Sequence, residues 1–476
     1  MALILPGNVA SATADAGYDV ANSCRFDEAS SSSLTRATGE TTGGTKWTLS
    51  TWIKRSTLGS LTDGGTFMGW YTSTSKRSIF GFNDDDKLYW WSYNGSAQGD
   101  ATTAAAFRDV SAWYHVVLKI DTTQAVLANR VKIYVNSVEQ TLTFNSTYPT
   151  QNEANTGMYG SSYIGSSFYN TATDRHFGGY LAETVMIDDA ALAPTSFGEA
   201  NEDSPKIWQP IDVSELTFGT DGFYLDFEDS GTLGNDISDV GDFTAANLAA
   251  TDQTTDTCTN NFATLNPLDN YLAGATLSEG NTKQVTHAGN ETYNTTTIGA
   301  SSGKWYCEMK HISSSGGSAL TTRTMYGIAD GPTAQSDSQG TGNVYIFRSD
   351  GNQFSGSTES SSWGTAWNST GEIIGIAMDL DNNKLYFAVN GTWQNSGDPT
   401  SGATGTGALA ITADKTYFFV AGDLTGSVIT NYMNFGNPLY ANSSSVADAD
   451  GYGDFEYAPP SGYYALCTKN LGAYGG

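Results

Sequence analysis

Basic residues are scarce. Lys and Arg number 22 against 50 Asp and Glu, a formal net charge of −28 over 476 residues. A chain this acidic repels a phosphate backbone, and no Lys/Arg run exceeds two, so nucleic-acid partners are not expected. Cysteine is rarer still. Cys24, Cys258, Cys307 and Cys467 show no CxxC spacing, which excludes a zinc ribbon or a disulfide framework and reads as buried thiols in a chain made in a reducing cytoplasm. Long apolar runs are missing too. No stretch nears the roughly 18 residues of a membrane-spanning helix, so no membrane insertion is expected. The start, Met1-Ala-Leu-Ile-Leu-Pro-Gly7, has no basic n-region, and Pro6 stops its apolar run, unlike a secretory signal. Neither half offers a helix of more than about two turns, which excludes folds built on parallel sheets with crossover helices.

What remains is rich in aromatics, at 12%, enough to build a core and to argue against disorder. The length implies two or three domains. Almost every apolar run is short, β-branched or aromatic, and bounded by Gly, Asn, Asp, Ser or Thr, the pattern of all-β domains. Such runs include Trp47–Lys54, Phe67–Tyr71, Ser78–Phe82, Lys87–Tyr93, Ala112–Asp121, Val131–Val135 and Gly179–Asp188. Phe223–Phe227 reads as a weaker return strand, and Pro194 as the start of one helical turn. A polar stretch from Ser230 to about Asn261 reads as an interdomain connector. A second set follows, including Lys304–Met309, Met325–Ala329, Asn343–Arg348, Ile373–Asp379, Lys384–Val389 and Thr416–Ala421. Asn94-Gly95 and Asn390-Gly391 are hairpin signals, since both residue types tolerate positive φ. The expected fold class is therefore all-β: two antiparallel β-sandwich jelly rolls in tandem, over 1–229 and 262–476, joined by 230–261. Halves cut near Gly241 should each fold alone.

The segments Asn22–Phe26, Trp47–Arg55, Trp113–Val117, Val131–Asn136 and Gly179–Glu183 resemble a laminin-G-like, concanavalin-A-like jelly roll. Gly303–Tyr306, Ile374–Asp379, Leu385–Phe387, Asn390–Trp393 and Pro459–Cys467 resemble a SPRY domain. The pair, in this order, is similar to proteins encoded by tailed bacteriophages. That resemblance implies a virion structural protein, a tail fibre, head fibre or capsid decoration, made in the host cytoplasm. It implies other virion proteins as partners, a host-surface glycan or receptor as ligand, and a homo-oligomer, a trimer by family analogy. A decoration or connector protein without a ligand is the alternative.

Little chemistry is visible. Glycoside hydrolysis needs two carboxylates about 5–10 Å apart, and no Glu-x-Asp-x-x-Glu or Glu-x-Asp-x-Glu string occurs. Asp226 and Glu228 are two apart on the expected return strand and read as a solvated edge. His115, His176, His287 and His311 stand in no nucleophile signature, and His115 reads as structural. The chain is not expected to be an enzyme. No cofactor is required. Calcium has one candidate seat, the Asn83–Asp86 turn with Asp84, Asp85 and Asp86, since a hard cation takes carboxylate oxygens; against it stands a solvated acidic turn, which forms for conformational reasons alone, and Asp188-Asp189 carries the same ambiguity. Trp363, Trp367 and Trp393, in or beside Gly/Asn-rich loops, are the candidate ligand-binding residues, since sugars stack on exposed rings. Against that stands their use as core caps.

Overall fold

In a computed structural model the described residues are 17–37, 44–59, 65–145, 148–154, 157, 160–269, 272–314, 324–331, 342–367 and 369–475. The fold is all-β and almost wholly antiparallel, as the alternating patterns predict. It divides into two compact units between Thr259 and Asn260.

The unit before that division contains β1 (Ser23–Phe26), β2 (Ser33–Arg36), β3 (Lys46–Arg55), β4 (Thr66–Ser73), β5 (Lys76–Phe82), β6 (Lys87–Asn94), β7 (Ala97–Ala106), β8 (Trp113–Asp121), β9 (Val131–Val135) and β10 (Val138–Glu139). It continues with β11 (Leu142–Phe144), β12 (Ser161–Ile164), β13 (Ser167–Tyr169), β14 (Ala172–Asp174), β15 (Gly179–Asp188), β16 (Gly198–Ala200), β17 (Trp208–Pro210), β18 (Phe223–Leu225), β19 (Thr244–Ala246) and β20 (Gln253–Thr254). One sheet runs β10-β9-β8-β3-β15-β1-β20, with β18 on β15; the other runs β11-β7-β6-β5-β4-β12-β2-β19. Trp47, Leu49 and Ile53 of β3 meet Phe67, Phe80 and Trp90 of the facing sheet in a shared core. Each large apolar side chain so buried contributes roughly 1.5–3 kcal/mol. The first sheet is also covered on its outer face, where Val117, Val185 and Ile187 pack on Phe197 and Val213.

Residues 230–259 are not the connector expected from their polarity. β19 pairs with β2 and β20 with β1, and Asp236 and Asp256 are buried against Arg36 and Lys54. Their polar side chains satisfy buried cations rather than water. The return strand also ends earlier than expected, at Leu225. Phe227 has a φ of 61°, so Asp226 and Glu228 do not alternate along one strand face; Asp226 instead accepts a hydrogen bond from the Glu228 amide.

In the unit from Asn260, the long strand Lys304–Ser314 pairs with Ile373–Asp379 on one side and Ile429–Asn434 on the other. The opposing sheet centres on Thr324–Ala329 between Phe418–Asp423 and Val344–Arg348. Trp305, Ile376, Phe347 and Phe419 lie in the core between them. Asn390 and Gly391, with φ of 48° and 76°, reverse the chain so that Thr392–Trp393 pairs back on Lys384–Val389, as the dipeptide predicts. The one α-helix among the described residues, α1 (Thr468–Tyr474), spans two turns; no described helix is long and apolar enough to cross a membrane.

Candidate ligand-binding face

The residues singled out in the sequence do not form one site. Trp367 is fully buried, its ring stacked 5.0 Å from that of Tyr326; it is core, because a ring flanked by Tyr326 and Phe347 has no face left for a ligand. Trp363 is half-buried, edge-on to Phe347 and Phe387 at 5.6 and 6.1 Å. Trp393 is half-buried and leans on Tyr386 at 6.4 Å. The acidic turn likewise splits. Asp84 and Asp85 are exposed, whereas Asp86 turns inward with a φ of 62° and meets Arg55 at 3.0 Å and Arg108 at 2.7 Å. Two guanidiniums hold the carboxylate that a calcium ion would need. No group of three His, Cys, Asp or Glu among the described residues is arranged to hold a metal.

A different surface brings together the groups that ligand binding requires. In β6, Leu88, Trp90 and Ser92 are buried, so alternation sends Tyr89, Trp91 and Tyr93 to the outer face of the second sheet, where all three are half-buried. Cross-strand register adds Arg77 and Ile79 of β5, opposite Tyr93 and Trp91, and Tyr71 of β4, opposite Arg77. The rings of Trp91 and Tyr93 lie 5.6 Å apart and 12° from parallel. The Arg77 guanidinium stands 5.0 and 5.4 Å over them and 4.6 Å from the ring of Tyr169. Tyr169 belongs to the β13–β14 hairpin, which crosses this face and seats Phe168 on Tyr71 and Tyr163. Gly69 admits that crossing: a Cβ there would stand 2.8 Å from the Ser166 carbonyl oxygen.

The other border is polar. Asp100 of β7 lies opposite Trp91, and its Oδ1 accepts a hydrogen bond from Asn145 Nδ2 at 3.1 Å. Burial pushes the Asp100 carboxyl above its usual range, opposed by the Asn145 hydrogen bond. Flat rings beside a carboxylate, an amide and a guanidinium suit a sugar, which offers C–H faces to stack and hydroxyls to bond. Sequence reasoning placed β6 as a strand but gave it no role. The missed signal was its aromatics on both alternations, where an antiparallel sheet facing water normally carries polar residues.

Two buried constellations in the same unit look chemical. Ser50 Oγ and His115 Nε2 are 2.8 Å apart, but Trp208 Nε1 donates to His115 Nδ1 at 2.9 Å. That donation leaves the ring proton on Nε2, where it bonds Ser50, so the imidazole does not serve as a base toward the hydroxyl. Burial drives His115 down to about 3, and the residue is structural. Glu183 sits at a bulge in β15, with a φ of 46°, and accepts from the Tyr224 hydroxyl at 2.7 Å. Burial pushes its carboxyl up to about 8, with Asp226, Glu228 and Asp212 adding to the rise. A cleft of about 410 Å³ lined by Leu233, Phe243, Ala245 and Leu248 carries no charged side chain.

With this geometry in place, residues 27–195 match the family described as the Concanavalin A-like lectin/glucanases superfamily. The unit that carries the aromatic face is thus a laminin-G-like, concanavalin-A-like sandwich. Among solved structures, the chain is similar to the SPRY domain of human HERC1 at 13% identity, covering 36% of this chain and 96% of that one, with a TM-score of 0.29. It is also similar to a putative carbohydrate binding protein from Bacteroides ovatus, at 16% identity, 48% and 58% coverage and a TM-score of 0.29. A heptameric SAP-like pentraxin from Limulus polyphemus is similar at 17% identity, 37% and 80% coverage and a TM-score of 0.27. No curated protein sequence matches the chain.

Proposed function

We propose that this chain is a glycan-binding protein displayed on a bacteriophage particle, and that the outer face of β5, β6 and β7 is its binding surface. The observation that carries the binding reading is the half-buried row of Tyr89, Trp91 and Tyr93 beside Asp100 and Asn145. All of these residues fall inside the segment matched to a family whose description includes lectins. The virion assignment rests on the sequence resemblance of the domain pair, and the ligand it implies is a host-surface glycan. Binding of the full chain to immobilised host envelope polysaccharide tests this. Trp91→Ala should weaken binding at least tenfold, the equivalent of about 1.4 kcal/mol, while Trp363→Ala leaves it unchanged. Equal binding by wild type and Trp91→Ala would contradict the proposal.

One observation favours a second reading, a decoration protein with no ligand. The Arg77 guanidinium occupies the ring faces of Trp91 and Tyr93 and clamps the β13–β14 hairpin through Tyr169. On that reading no polysaccharide binds, and Trp91→Ala lowers stability instead.

A further inference from the structure

We propose that Lys54 and Asp256 join covalently, the lysine Nζ forming an amide with the aspartate side chain. The two atoms that must react already touch: Lys54 Nζ lies 2.6 Å from Asp256 Oδ2. The lysine side chain is 1% exposed and the aspartate fully buried. Both are held from behind. Lys54 stands in β3 between Trp113 of β8 and Tyr180 of β15 in register, its Nζ 5.5 Å from the Tyr180 ring. Asp256 is fixed through its backbone, its carbonyl accepting from Ser23 Oγ at 2.6 Å and its amide donating to Thr254 Oγ1 at 3.0 Å. Such fixed proximity converts a slow bimolecular condensation into an intramolecular one.

The second carboxyl oxygen is equipped differently. Asp256 Oδ1 accepts a hydrogen bond from Trp113 Nε1 at 3.1 Å. The step balances within the pair. The Lys54 ammonium passes one proton to Oδ2, and the freed Nζ lone pair adds to Cγ. Negative charge then develops on Oδ1, where the Trp113 N–H stabilises it in a site closed to water. The Cγ–Oδ2 bond breaks, and Oδ2 leaves as water with that proton and a second one from the nitrogen. One C–N bond forms, one C–O bond breaks, and nothing is oxidised or reduced. Burial also lowers the Lys54 ammonium below its ordinary value, against the opposing pull of Asp256, which favours the reactive amine.

The other ion pairs provide contrast. Arg25, Arg36 and Arg55 meet carboxylates with guanidiniums, which do not supply a nucleophilic amine. Lys304 and Asp379 approach to 2.9 Å, but that lysine is a quarter exposed, and the pair should stay ionic. The bond would clasp a central strand of the first sheet to a residue three positions before the unit's end at Thr259.

Intact-mass measurement of the reduced, denatured full chain tests the proposal, with peptide mapping. The expected result is a mass one water below that of the sequence and a branched peptide joining Lys54 to Asp256. Lys54→Arg should restore the full mass, and Trp113→Phe should leave a mixture of the two masses. A succinimide at an Asp-Gly step loses the same water, so the branched peptide decides. Wild-type protein yielding an unbranched peptide containing Lys54 overturns the proposal, whatever its mass, and leaves the pair a buried salt bridge.

Discussion

Asp236 receives Arg36 at 2.9 Å with both side chains out of water, and the same guanidinium donates to the carbonyls of Gly222 and Asp221. Removing one partner of such a pair strands a buried charge and costs about 3–5 kcal/mol. Asp236→Ala is therefore expected to lower the unfolding free energy by that much, measured by urea unfolding, although residue 236 lies in a stretch that reads as linker. Trp367→Ala should cost a similar amount, about 3–5 kcal/mol for emptying a buried tryptophan, while leaving glycan binding intact. Glu183 gives a pH signature. Its folded carboxyl holds its proton up to about pH 8, whereas the ordinary value is 4.5. The folded state then binds more protons than the unfolded one across that window. Its contribution is fully present below about pH 4.5 and is lost as pH rises through 8, with a slope of at most about 1.4 kcal/mol per pH unit. Unfolding free energies from pH 5 to 8 should show this slope, and Glu183→Gln should flatten it.

At the scale of elements, most strands were legible because alternation and turn chemistry are local. Trp47, Leu49 and Ile53 share the inner face of β3, as their spacing implies, and Asn390-Gly391 makes its hairpin. What could not be read is what pairs across long separations. The short strands β19 and β20 are recruited by β2 and β1 some two hundred residues earlier, and Asp256 is buried by Lys54 rather than by any pattern of its own. Whether Trp367 of the Ser360–Trp367 stretch is core or rim could not be read locally, because its burial is decided by distant rings such as Tyr326. The aromatic face was within reach: alternation along Lys87–Asn94 puts rings on both sides. The corrected boundary makes a prediction. A cut between Thr259 and Asn260 should give an N-terminal fragment with a cooperative unfolding transition. One ending at Gly241 loses β19, β20 and Asp256 and should be markedly less stable, or unfolded, by circular dichroism.

For the molecule as a whole, the charge of −28 disfavours anionic ligands at low salt. A neutral glycan escapes that repulsion, and on the proposed binding face the Arg77 guanidinium stands beside the half-buried Asp100 carboxyl. Weak dependence of glycan affinity on ionic strength therefore follows. The most direct test of glycan recognition by this face is amide hydrogen exchange on the full chain, with and without saturating host polysaccharide. The account predicts added protection in Lys87–Asn94 and in the Ser167–Asp174 hairpin. Protection confined to the loop around Trp363, or none anywhere, would contradict it.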